Sequence, residues 1–136
     1  MLHKYTAIKD VGHSVIKLRE DGIIEIDCRN NYEYSVNDVK ENWAIIKELA
    51  KGKKILVFNN MPEFTTASKE TREFVAKGEH KDFIAAEAFV IQSLAQKILG
   101  NFYLKINKPV VPAKIFTNKE NAVQWLSTFK QKNISI

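Results

Sequence analysis

The chain predicts a single α/β domain whose mostly parallel five-stranded sheet has an antiparallel edge and helices packed on it. Three observations predict it. An Asp-Gly turn joins two alternating segments near the start, amphipathic helical stretches and short apolar runs then alternate, and every helix start carries a capping residue. Strands that alternate with helices after a hairpin give the order β-β-α-β-α-β-α-β-α.

Residues 1–13 have no clear period and are read as an arm or a short edge element. Ser14 to Arg19 alternates as a half-buried strand. Glu20-Asp21-Gly22 supplies the positive φ angles of a tight turn, and Ile23 to Cys28 returns with Ile24, Ile26 and Cys28 on one face. Ser35 caps a helix reaching Ala50, with Asp38 three residues on. Val36, Val39, Trp43, Ile46 and Ala50 form its stripe, and Gly52 ends it.

The stretch Lys54 to Gly78 reads as a buried strand (Ile55 to Phe58), a polar hinge (Asn59 to Thr66) and a helix running to about Ala76. A hinge of this kind lies at the carboxyl end of its strand, where α/β sheets most often bind ligands and partners. A central strand follows, from about Ala86, interrupted by Glu87, which is expected near the strand's start, reaching solvent or a lysine. Ser93-Leu94-Ala95-Gln96 is a capping box for a helix with Leu94, Ile98, Phe102 and Ile106 on one face. Gly100 inside it implies close packing or a kink. Asn107-Lys108-Pro109 ends that helix, Ala113 to Phe116 is a last strand, and Thr117 caps a final helix bearing Ala122, Val123, Leu126 and Phe129.

Composition narrows the function classes. The 136 residues are 45% hydrophobic and 27% charged, ordinary for one globular domain. The one cysteine, Cys28, allows neither an intrachain disulfide nor a cysteine-based zinc site, and is expected to be buried and inert. Met1-Leu2-His3-Lys4 runs directly into polar residues, and no apolar run could span a bilayer, so a cytoplasmic protein is expected. The net charge of +5 is scattered rather than clustered and is read as a solvated surface, without nucleic-acid binding. No nucleophile elbow, P-loop, dinucleotide fingerprint or zinc-protease motif is present. His3, His13 and His80 lack metal-ligand spacing and are read as surface residues. No cofactor or metal, and no enzymatic activity, is expected.

The element order and several local patterns resemble the STAS domain (sulphate transporter and anti-sigma factor antagonist), in particular its SpoIIAA-like branch. The resemblance rests on the hairpin Leu18 to Ile26, the strand-hinge-helix Ile55 to Phe74, Gly100-Asn101-Phe102 through Asn107-Lys108-Pro109, and Pro112 to Phe116 followed by Ala122 to Leu126. It covers roughly residues 14–130, leaving 131–136 as a tail. STAS domains are in turn akin to CRAL-TRIO lipid-transfer folds, which keeps an apolar ligand open. In anti-sigma antagonists the hinge reads Asp-Ser-Ser-Gly and a serine is phosphorylated by a partner kinase. Laid on this chain the motif falls on Thr66-Ala67-Ser68-Lys69, where only Ser68 matches, with Thr65 and Thr66 nearby. These are the phosphoacceptor candidates, and each is equally a helix cap.

The expectation is therefore a non-enzymatic interaction or regulatory module that meets another protein through the hinge and its helix, Lys69 and Arg72 included. The alternative is a binder of a small anionic ligand, a nucleotide or phosphate, at the strand carboxyl ends. There Arg29, Asn30, Asn59, Asn60, Ser93, Thr117 and Asn118 are expected to gather. Trp43, Trp125 and Phe102 suit a core or an interface equally, so oligomeric state is not legible.

Overall fold

The computed structural model describes residues 4–130, so His3 and the expected tail 131–136 lie outside it. Six strands form the main sheet: β1 (Tyr5–Asp10), β2 (Ser14–Arg19), β3 (Ile23–Cys28), β5 (Ile55–Asn60), β7 (Ile84–Val90) and β8 (Ala113–Phe116). They lie in the order β1-β2-β3-β5-β7-β8. The first three are antiparallel and the rest parallel, so β5 runs through the interior of the sheet. Among the described residues the α-helices are α1 (Val36–Ala50), α2 (Lys69–Ala76), α3 (Leu94–Phe102) and α4 (Lys119–Ser127). A second, two-stranded sheet pairs β4 (Glu33–Tyr34) with β6 (Thr66–Ala67) in parallel.

Each element has a local cause. In α1, Ser35 Oγ accepts from Asp38 N (3.2 Å) and the Asp38 carboxylate accepts from Ser35 N (2.9 Å), which satisfies donors the helix start leaves free. The β2–β3 turn places Gly22 at φ +85°. Period-two alternation then sorts β5 between two cores. Leu56 and Phe58 join Ile23, Ala86, Ala88 and Val90 under Ala122 and Leu126 of α4, while Val57 joins Ile16, Ile24, Ile26, Ile84 and Ile46 of α1.

The expectations hold for the hairpin, the helices and the last strand; the small β4–β6 sheet was not expected, β7 begins at Ile84 and not near Ala86, and five further points differ. The sheet has six strands, because the period-less start forms the bulged edge strand β1. Strand β5 continues through Asn59 and Asn60, so the hinge begins at Met61. Lys51, not Gly52, closes α1 in the left-handed region, with Gly52 following at φ +80°. The α3 helix widens at Tyr103 into a π-turn, Tyr103–Asn107, closed by Lys108 N donating to Tyr103 O at 3.2 Å. Asn118 caps α4 in place of Thr117, its side-chain oxygen accepting from Asn121 N at 2.9 Å.

Gly100 is explained by close packing. A β-carbon there would lie 2.2 Å from Ile115 Cδ1, so α3 rests directly on β8. Gly78 is more constrained still, with φ +76° and a notional β-carbon 2.6 Å from Val110 Cβ. Gly78→Ala adds a left-handed backbone penalty to an overpacked contact, and should cost about 2–4 kcal/mol. Urea denaturation measures this; a loss below about 0.5 kcal/mol, the scale of an ordinary surface change, would contradict it.

Candidate functional site

The hinge, residues 61–68, is held from three sides. From the β3–α1 connection, Asn30 Oδ1 accepts from Phe64 N (3.0 Å), Arg29 O accepts from Thr65 Oγ1 (2.6 Å), and Tyr32 O and Tyr34 O accept from Thr66 N and Ser68 N. From β7, Val90 O accepts from Met61 N at 2.9 Å. From α3, the buried Gln96 amide group donates to Pro62 O (2.7 Å), Thr65 O (3.0 Å) and Met61 O (3.4 Å). Its oxygen meanwhile accepts from Gln92 N and Ser93 N, so one side chain both caps α3 and clamps the hinge.

The three hydroxyl candidates have different surroundings. Thr65 is 1% exposed and its hydroxyl is committed to Arg29 O. Thr66 is half-buried in the β4–β6 pair. Ser68, also half-buried, caps α2: its oxygen accepts from Thr71 N (3.1 Å) and lies 2.7 Å from Thr71 Oγ1. Lys69 is exposed at the start of α2, and Arg72 turns inward to donate to Ala67 O.

The residues expected at the strand ends do not form one cluster. Arg29 and Asn30 meet the hinge. Asn59 faces the α1–α3 side, whereas Asn60 points to the other face and donates to Glu25 (2.9 Å) and Asp27 (2.8 Å), acidic company unsuited to an anion. There Glu25, 1% exposed, also accepts from Tyr5 and from Lys119 (2.9 and 2.8 Å). Ser93 and Thr117 share a shallow depression with Lys97, and Asn118 is occupied as a cap.

Three residues read as exposed from the sequence are interior. His80 is fully buried, and Glu87, expected to reach solvent or a lysine, is 4% exposed with a carboxylate oxygen 2.9 Å from His80 Nε2. The imidazole stacks on Trp43 at 4.3 Å. A buried carboxylate needs such a partner. His13 is likewise buried, 2.7 Å from Glu41. Cys28, expected to be buried, is half-buried at the end of β3; desolvation still pushes its thiol pKa up to about 12, which keeps it protonated and unreactive.

Two features were not anticipated. Beneath the hinge, between the sheet and helices α1–α3, lies a part-open, mostly apolar cavity of about 160 Å³. Cys28, Asn42, Trp43, Arg72, Glu87 and Tyr103 are among its lining residues. Outside, the stripe Leu94, Ile98, Phe102 and Ile106 faces solvent with 51–72% exposure, and Phe64 of the hinge is also exposed. Residues 88–119 contain no aspartate or glutamate but five lysines, Lys97, Lys105, Lys108, Lys114 and Lys119, a pattern visible in the sequence itself. No group of three metal-ligating side chains occurs among the described residues, and no described helix is long and apolar enough to cross a membrane.

The clamp makes a prediction. Gln96→Ala leaves the carbonyls of Met61 and Thr65 without their donor, takes from Pro62 O one of its two donors (Thr65 N remains), and should cost about 1–3 kcal/mol. Hydrogen exchange should rise selectively at the amides of Met61 and Thr65; unchanged protection there would show that the hinge does not depend on Gln96.

Comparison with known proteins places this geometry. No curated protein matches the chain. Among solved structures, an uncharacterised protein from the DUF3478 family of Shewanella loihica PV-4, with a SpoIIAA-like fold, superposes with a TM-score of 0.55 at 13% identity. The match covers 93% of this chain and 96% of that one, so the fold is SpoIIAA-like, as the sequence resemblance implied. A family profile described as a domain of unknown function, DUF7793, matches residues 16–130, and the chain belongs to that family.

Proposed function

We propose that this protein is a non-enzymatic, STAS-like interaction or regulatory module of the cytoplasm, working through the hinge, α2 and the outer face of α3. The observation that carries this reading is the exposed apolar stripe Leu94, Ile98, Phe102 and Ile106 on α3 and its π-turn. An exposed apolar patch of this kind is costly to leave in water and marks contact surfaces. The exposed Lys97, Lys105 and Lys108 neighbour it in sequence, without a single acid between residues 88 and 119. The partner is therefore a protein with an apolar groove rimmed by carboxylates. A second copy meeting α3 face to face would set lysines against lysines, which argues against self-association there.

Regulation is proposed at Ser68, with Thr66 as the next acceptor. A phosphate on Ser68 would gain from the free N–H groups at the start of α2 while giving up the cap to Thr71. Thr65 would need local opening to be reached.

The test is a pull-down from source cells, quantified by mass spectrometry, with wild type, Ile98→Glu/Phe102→Glu, and a control Lys81→Glu outside α3. All three positions are exposed, so stability should shift by no more than about 0.5 kcal/mol per site. A partner captured by wild type and control but reduced at least tenfold with the α3 variant supports the reading. Capture unaffected by the variant overturns it, as does the absence of any captured protein. Incubation with cell extract and ATP should modify Ser68 in preference to Thr65; an unmodified hinge would remove the phospho-regulation.

A further inference from the structure

The cavity beneath the hinge has features a packing defect does not share. Protein interiors leave few voids larger than a water, and buried polar atoms nearly always find partners. Here about 160 Å³ is bordered by three buried polar atoms without a hydrogen-bond partner among the described residues: Asn42 Oδ1, Arg72 Nε and Tyr103 Oη. Asn42 and Tyr103 are each 7% exposed. They belong to different elements, α1, α2 and the π-turn, so the unmet hydrogen-bonding capacity surrounds the space instead of marking one misfit.

The charges on the wall narrow the occupant. Of the two charged lining residues, Glu87 is matched with His80. Arg72 has no carboxylate within ion-pair distance among the described residues, and its one hydrogen bond goes to Ala67 O. A guanidinium with an inward N–H and no counter-charge is a seat for a carboxylate. Burial and the nearby Glu87 charge raise the Tyr103 phenol pKa, so it remains a neutral hydroxyl able to donate or accept.

Size sets the remaining limit. A cavity of roughly 150 Å³ in an apolar core accommodates benzene, whereas drug-sized ligands need about 300 Å³ or more. A nucleotide is too large and carries more charge than one guanidinium balances.

We propose that the cavity is a binding site for a small monocarboxylate with an apolar body of about one ring. Its carboxylate sits on Arg72, its body lies between the sheet and α1, and any hydroxyl it carries meets Asn42 or Tyr103. This goes beyond the interaction reading and does not depend on it. Because Thr65, Thr66 and Ala67 also line the cavity, an occupant touches the underside of the hinge.

The experiment titrates the full chain with benzoate, phenylacetate and 4-hydroxybenzoate, and with toluene and benzyl alcohol as neutral counterparts. It follows thermal shifts and amide chemical shifts. At least one carboxylate should raise the melting temperature and move amides of Val39, Ala67 and Leu99, binding at least tenfold more tightly than either neutral probe. Arg72→Gln should abolish that preference. Val39→Phe, which fills the space from α1, should abolish binding and gives a second route if Arg72→Gln does not fold. Equal binding of toluene and benzoate overturns the carboxylate assignment, and no cavity-localised shift with any probe overturns the site. Partner capture through α3 survives either result, so the two proposals fail separately.

Discussion

One buried amide decides where the hinge lies. Gln96 reaches out of the first turn of α3 to three carbonyls of the 61–65 loop while its oxygen closes the α3 cap. Such a side chain cannot move without leaving several polar groups unsatisfied at once, which gives it far more leverage than one hydrogen bond in water. Because it is rooted in α3, the hinge, the exposed stripe and the roof of the cavity are held by the same residue. The small β4–β6 sheet supplies the opposing support from the β3–α1 connection.

The two faces of the sheet solve different problems. On one, α4 packs tightly over strands β5, β7 and β8 with small residues, Ala86 and Ala88, beneath it. On the other, α1, α2 and α3 splay across the sheet, and their side chains do not meet over Val57 and Asn59. Trp43, Phe74, Phe83 and His80 form an aromatic cluster at one end of this layer, braced by the His80–Glu87 pair. The space is thus bounded by stiff packing at its margin and by the hinge above.

Much of the fold was legible because its signals are local. Ser35 and Ser93 announce helix starts by short-range hydrogen bonding, and Asp21-Gly22 announces the hairpin by backbone sterics. Period-two alternation places Val57 and Phe58 on opposite faces. What was not legible depends on distant partners. Glu87 and His80 are buried only because each finds the other across a loop, and nothing in their spacing indicates that. Asn59 and Asn60 look alike in sequence, yet strand alternation sends one toward the cavity and the other into the Glu25–Asp27 cluster. The stripe on α3 was visible, but periodicity cannot tell an apolar face turned inward from one turned to solvent.

The two borders of the main sheet have a bearing on how anything can attach to this molecule. Strand β1 is kinked by a register shift between Tyr5 and Ala7 and carries Lys9 and Asp10, and β8 is four residues long directly after Pro112. Irregular, charged or very short margins are poor templates for an incoming extended peptide. Recruitment by lengthening the sheet is thereby discouraged at both ends. Under the interaction proposed for α3, a partner would recognise side chains on a helical ridge, with selectivity written in shape and charge and not in main-chain pairing.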